Sequence, residues 1–221
     1  MDAEAAAIAR CQAQAEAALF DHIAGRLRET GWVVVPDALP VALGEALLVY
    51  LERLDPAKFA RAGVGRRTGS RVNDFVRRDE ICWIIGDDPA PAAWLDFAAR
   101  LRVHLNRRLL IGLFSFESHF AHYGVGDFYR RHVDAFKGEA NRVVSLVTYL
   151  NPGWGPDDGG ELVLYPPGSE PVRVTPAFGT MVGFLSEEFV HEVLPARRER
   201  RSIAGWFRVN TTTATRVDPP R

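Results

Sequence analysis

Three residues of this chain have the types and spacing to do chemistry: His132, Asp134 and His191. Two imidazoles and one carboxylate form the donor face that holds non-haem Fe(II) and leaves coordination positions open. Within FYRRHVDAF the first two stand two apart, and the period of an extended strand points both side chains to one face. His191 follows 59 positions after His132 (191 minus 132), a separation that a jelly roll can bridge across its open mouth. No thiolate accompanies them, which weakens a structural zinc assignment. Arg200 lies in a later strand-patterned segment and can supply a fixed cation for the far carboxylate of a dicarboxylic co-substrate. Together these residues point to oxygen chemistry.

The elements that must position them divide the chain in two. Residues 3 to 28 carry Ile8, Ala15, Leu19, Ile23 and Leu27 near every fourth position, which predicts a helix stopped by Gly31. WVVVPDALP reads as a strand and turn, and a second helix begins near Val41 with Leu43, Leu47, Leu48, Leu51 and Leu54 on one side. Ala60 to Asn73, rich in Gly and Arg, reads as a mobile loop. A strand over 80–86 and a third helix over 91–109 follow, the helix through Trp94, Leu95, Ala98, Leu101 and Leu105. From Ile111 onward short apolar runs split by Gly, Pro, Asn and Asp predict strands at 111–123, 127–132, 143–151, 161–165, 171–174, 179–184, 190–194 and 200–209. The expected fold is mainly β with N-terminal helices: a double-stranded β-helix, or jelly roll, buttressed by about three helices. One domain is expected over 1–210, with helical support and a substrate loop in 1–110, the jelly-roll core in 111–210 and a flexible tail at 211–221.

With 221 residues, a formal net charge of -1 and a pI near 6.6, the chain has no global attraction for nucleic acid. The arginines at 61, 66, 67 and 71 form only a local basic loop. Cys11 and Cys82 have no metal spacing and suit a reducing compartment, so a cytoplasmic protein without a membrane span is expected. His22 and His104 read as helix surface or packing residues. His119 and His122, three apart on a strand, face opposite sides and are set outside the site.

Beyond these residues, VRRDEICWI (76–84), HYGVGDFYRRHVD (122–134), RVVSLVTYLN (142–151), GGELVLYP (159–166) and HEVLPARRERRSIAGWF (191–207) occur in one chain. In this order and at these spacings they resemble the Fe(II)/2-oxoglutarate-dependent dioxygenases, in the prolyl 4-hydroxylase-like branch that includes the hypoxia-factor prolyl hydroxylases and their bacterial relatives. The resemblance implies that His132, Asp134 and His191 ligate iron. It also implies that Arg200, with the Tyr149 hydroxyl, holds the distal carboxylate of 2-oxoglutarate. Arg201 competes with Arg200, since alternation lets only one of the two point inward; the spacing back from Trp206 favours Arg200. Tyr123, Leu162 and Val193 resemble residues of the co-substrate pocket. Arg77, Asp79, Tyr129, Arg142 and Trp206 resemble residues near the substrate, with Trp83 at the base of the same loop. The implied cofactors are Fe(II), 2-oxoglutarate and O2, with ascorbate as an accessory, and the implied substrate is a proline in a protein or peptide. The alternatives are a free amino acid or other small molecule and, in a different class, a non-catalytic metal-binding jelly-roll sensor or binding module.

Overall fold

The first helix, α1 (Ala3–Thr30), ends where Gly31 takes a φ of 77°, a left-handed conformation that costs glycine little, and the Gly31 N–H donates to the Leu27 carbonyl at 3.1 Å. The computed structural model describes residues 3–64, 71–72, 75–135 and 141–212. In it the buried face of α1 is Phe20, Ile23, Ala24 and Leu27. Ile8 and Ala15 are exposed instead of buried, because the side-chain bonds from α1 to its partner helix begin only at Glu16, which pairs with Arg100. That partner, α3 (Pro89–Leu109), starts two residues before the expected position. Asp88 caps it by accepting from the Ala90 N–H, and Pro89 fits the first turn, where no N–H is needed. Between them α2 (Val41–Arg53) buries Leu47 completely. His104, read from sequence as a helix surface or packing residue, bonds Asp21 across the α1–α3 contact at 2.8 Å.

Seven strands form the larger antiparallel sheet: β1 (Trp32–Val35), β2 (Ala60–Arg61), β5 (Glu80–Trp83), β6 (Ser115–Tyr123), β8 (Arg142–Tyr149), β11 (Met181–Leu185) and β13 (Arg200–Arg208), in the order β1-β11-β8-β13-β6-β5-β2. The smaller sheet has β7 (Tyr129–His132), β9 (Leu162–Tyr165), β10 (Val172–Val174) and β12 (Val190–Val193), in the order β10-β9-β12-β7. The eight strands expected after residue 111 are all present, and with the three helices they make the expected buttressed jelly roll. One expectation is corrected. The segment 60–73 is not loop throughout, since Ala60–Arg61 pairs with β5 and β3 (Gly63–Val64) pairs with β4 (Arg71–Val72). Two-residue strands are too short for an alternating pattern to show in sequence. Arg66, Arg67 and the tail from residue 213 lie outside the described residues.

Alternation along the large sheet builds a core on each side. Phe120, Leu146, Ile203 and Phe207 point outward into the helices with Trp94, Leu101 and Leu105. Tyr149, Val182 and Phe184 point inward against Leu162, Leu164 and Val174 of the small sheet. At about 1.5–3 kcal/mol for each large apolar side chain buried, both faces of the central strands are strongly held, which fixes their register and so the direction of every inward side chain. No helix among the described residues is long and apolar enough to cross a membrane.

Candidate functional site

At the edge of the small sheet, β12 pairs antiparallel with β7 so that His191 stands directly opposite His132. Their rings lie 4.1 Å apart between centroids. The strand stops at His132, and Asp134 occupies the bend that follows rather than a continuing strand. Convergence of the two side chains is therefore the work of a bend, and the period-two argument is corrected in this respect. Asp134 Oδ1 comes to 3.6 Å from His132 Nε2 and 3.8 Å from His191 Nε2. One donor atom from each of the three residues lies within 4.8 Å of the others, a group that could hold a metal ion.

Each donor is oriented for that task. His132 Nδ1 faces the Arg130 carbonyl at 2.8 Å and His191 Nδ1 faces the Phe189 carbonyl at 3.1 Å. Since a carbonyl only accepts, both Nδ1 atoms carry a hydrogen, and both Nε2 atoms face Asp134. Ser145 donates to Asp134 Oδ2 at 2.6 Å and is itself held by Ser186 at 2.9 Å, so Oδ1 stays turned toward the imidazoles. Burial would raise the Asp134 pKa, but His191, His132 and the Ser145 hydroxyl outweigh it and hold the carboxyl well below the usual carboxylate range. Burial pushes His191 down to about 4 against the pull of Asp134, which favours its neutral form. Two imidazoles and one carboxylate without thiolate fit Fe(II).

A second group of residues lies deeper between the sheets. Arg200, at the start of β13, is 1% exposed; its Nε donates to the Gly160 carbonyl at 2.9 Å and its Nη1 to Ser202 at 3.2 Å. Its guanidinium packs on the rings of Tyr123 and Tyr149, at 4.8 and 5.1 Å. The Tyr149 hydroxyl is fully buried without a hydrogen-bond partner among the described residues. Burial pushes that phenol up to about 12, with Arg200 opposing, so it keeps its proton and remains a donor. A buried cation beside an unsatisfied O–H is a site built for an anion such as a carboxylate. Arg201 points to the helix side, half exposed, and pairs with Glu199 at 3.4 Å. Leu162 packs beside Tyr149, and Val193 beside Tyr123.

Over the metal-ligand group lies a wall of side chains. Tyr129 stacks on His132 at 3.5 Å, Arg77 lies 4.3 Å over Tyr129, and Arg77 Nε donates to fully buried Asp79 at 2.7 Å. Burial works against the Arg77 charge, but Asp79 more than restores it. Farther along, Arg142 donates to Glu117 at 3.0 and 2.7 Å and lies 3.6 Å over Trp206. His119, set outside the site on sequence grounds, is buried between Trp83 at 5.3 Å and Trp206 at 5.4 Å.

The chain superimposes on a prolyl-4-hydroxylase of Pseudomonas putida with a TM-score of 0.80 and 40% identity, covering 86% of this chain and 99% of that one. It belongs to the 2OG-Fe(II) oxygenase superfamily. The superfamily's own sequence pattern matches residues 118–208 of the oxygenase, the span from β6 to β13. A Trichoplax adhaerens prolyl hydroxylase, solved with a hypoxia inducible factor oxygen degradation domain peptide fragment, is similar at 27% identity and a TM-score of 0.76, over 89% of this chain and 92% of that one. The epimerase SnoN, solved with Fe3+ and alpha ketoglutarate, shares the fold at 16% identity and a TM-score of 0.63, over 92% of this chain and 94% of that one. No curated protein matches the sequence. The chain is thus a prolyl hydroxylase-like dioxygenase, of a family that uses Fe(II), 2-oxoglutarate and O2.

Sequence reasoning missed Ser145, Glu117, Gly160 and His119. Ser145 had a signal: in RVVSLVTY it is a small polar residue flanked by apolar ones, in phase with Tyr149. Gly160 had none, because its role depends on Ala196 and Arg200, which are distant in sequence. It takes a φ of 68°, and a Cβ there would meet Ala196 Cβ at 2.9 Å and Arg200 Cδ at 3.1 Å. Gly160→Ala is expected to cost about 2–3 kcal/mol from strain and overpacking. A thermal melt should show a midpoint lower by roughly 4–10 °C.

Proposed function

We propose that this oxygenase hydroxylates a proline in a protein or peptide, converting 2-oxoglutarate and O2 to succinate and CO2. The observation that carries the substrate class is the 40% identity to the Pseudomonas putida prolyl-4-hydroxylase across 99% of that enzyme. The peptide bound to the Trichoplax adhaerens relative supports a polypeptide rather than a free amino acid.

In this reading His132, Asp134 and His191 hold Fe(II). When bound there, iron would supply the redox chemistry by which O2 and the co-substrate hydroxylate an unactivated C–H bond. Arg200 and Tyr149 take the distal carboxylate, between the ring of Tyr123 and the side chains of Leu162 and Val193. Because Arg200 is locked by Gly160 and Ser202, the clamp is set before the co-substrate arrives, and no ordering entropy opposes binding there. Tyr129, Arg77, Asp79, Arg142 and Trp206 form the face that receives the substrate. The apolar packing of Leu162, Leu164, Val182 and Phe184 behind the site keeps bulk water from the reacting groups. Ascorbate would act as a reductant that keeps the iron ferrous. The two free thiols, Cys11 and Cys82, suit a reducing compartment such as the cytoplasm.

The test is incubation of the purified, iron-loaded protein with 2-oxoglutarate, O2 and a set of proline-containing peptides, followed by mass spectrometry. A single added oxygen on proline, with stoichiometric succinate, is the expected result; oxidation only of free amino acids would replace the substrate class. Ser145→Ala, which removes the donor to Asp134 Oδ2, is expected to weaken Fe(II) binding by about 10–100-fold, as loss of an outer partner of a metal ligand typically does. Titration with Fe(II) under argon measures it.

A further inference from the structure

The inner face of β6 carries a buried imidazole, His119, that the reading above does not use. His119 stands opposite Ala204 of β13 and Trp83 of β5, so its ring is on the same face as Trp206, Glu117 and Tyr123. Trp206 in turn stands opposite Ser145, the residue that donates to Asp134, which places His119 along the wall that leads to the metal-ligand group. The His119 ring contacts Trp83 on one side and Trp206 on the other. Its Nδ1 lies 3.2 Å from the Phe120 carbonyl, which fixes the hydrogen on Nδ1 and leaves Nε2 with a lone pair. Burial, with Arg77 nearby, pushes the imidazole down to about 4, so the lone pair persists at neutral pH.

What could use that lone pair follows from the other polar groups on the wall. Arg77 and Arg142 are donors, suited to carbonyls. The acceptors Asp79 and Glu117 are turned to those arginines. His119 Nε2 makes no hydrogen bond among the described residues. A polypeptide crossing this wall brings one N–H for every C=O except at proline, which has no N–H. We propose that His119 Nε2 accepts a hydrogen bond from the backbone N–H of a residue flanking the target proline, so that this imidazole helps set the register of the peptide over the iron site. This rests on the peptide substrate proposed above.

The test is a cycle between protein and peptide. The iron-loaded full-length protein is assayed with the peptide identified by mass spectrometry and with ester forms in which the N–H of each residue flanking the proline is replaced in turn by oxygen. One ester is expected to raise the wild-type KM about five-fold, the loss of one neutral hydrogen bond. In His119→Phe, which keeps the aromatic packing and lacks the acceptor, the ratio of ester to parent KM should fall to about one. His119→Leu gives the same reading if the first variant fails to fold. A reading without any variant is the nitrogen NMR signal of His119 Nε2 in the wild type with zinc in place of iron. That signal should move on adding the parent peptide and stay in place with the ester. No ester penalty in the wild type, equal ratios in wild type and variant, or an unmoved signal overturns the inference. If no proline peptide is oxidised at all, it is the substrate class that fails; an oxidised peptide with unchanged ratios removes only the role of His119.

Discussion

Asp134→Ala is expected to abolish succinate formation. Loss of an outer partner already costs about 10–100-fold in metal affinity, and Asp134 supplies a donor atom itself, so Fe(II) binding should fall by more than about 100-fold. The residue is well chosen for a test because its surroundings have one purpose. Oδ2 is held by Ser145, Oδ1 faces both imidazoles, and the carboxyl is kept ionised within the protein. The measurement is anaerobic addition of Fe(II) and 2-oxoglutarate, with the visible charge-transfer band read first and succinate read after O2 is admitted. Wild-type protein should give both signals. A folded Asp134→Ala protein that retains either one would remove Asp134 from the ligand set.

Arg200→Ala should raise the KM for 2-oxoglutarate by roughly 10²–10⁴-fold. Hydrogen bonds to charged groups are each worth about 1.5–3 kcal/mol, and two of them convert to that range. Arg200→Lys should recover little of the loss, since an ammonium cannot reproduce the planar fork that also reaches Gly160 and Ser202. Arg201→Ala is the internal control. Its side chain points to the opposite face and pairs with exposed Glu199, an interaction worth about 0–1 kcal/mol of stability, so the KM should stay within about two-fold. Equal effects of the two alanines would mean that the carboxylate binds elsewhere. A melt of each variant separates loss of binding from loss of fold, because Arg200→Ala also strands the Gly160 carbonyl.

The contrast between these two arginines shows what the sequence could and could not say. Alternation establishes that Arg200 and Arg201 face opposite ways, but which face is inward depends on the register of β13 between β6 and β8. The jelly-roll strands were legible because each buries an apolar face between turn residues. So was the clustering of His132, Asp134 and His191, whose residue types are rare in such a setting. What could not be read were features that arise between segments. These include the bend that turns Asp134 toward His191, the serine behind it, the glycine against which Arg200 lies, and the neighbours of His119. A spacing rule sees one strand at a time, and His119 contacts Trp83 and Trp206 on two other strands. The α1 pattern misled for a related reason, since periodicity shows a face that can be buried but not how far the covering helix reaches.

His132 and His191 face each other across two short strands that are 59 residues apart in sequence (191 minus 132). A metal ion shared by them would therefore be a staple between distant parts of the chain as well as a reaction centre. Closing a loop of this length costs conformational entropy that the metal-ligand bonds offset only when the β7–β12 pairing is in register. If these residues hold the iron, its loading and the completion of the small sheet would be one linked equilibrium, with an expected loosening of the β7–β12 edge when iron is withdrawn.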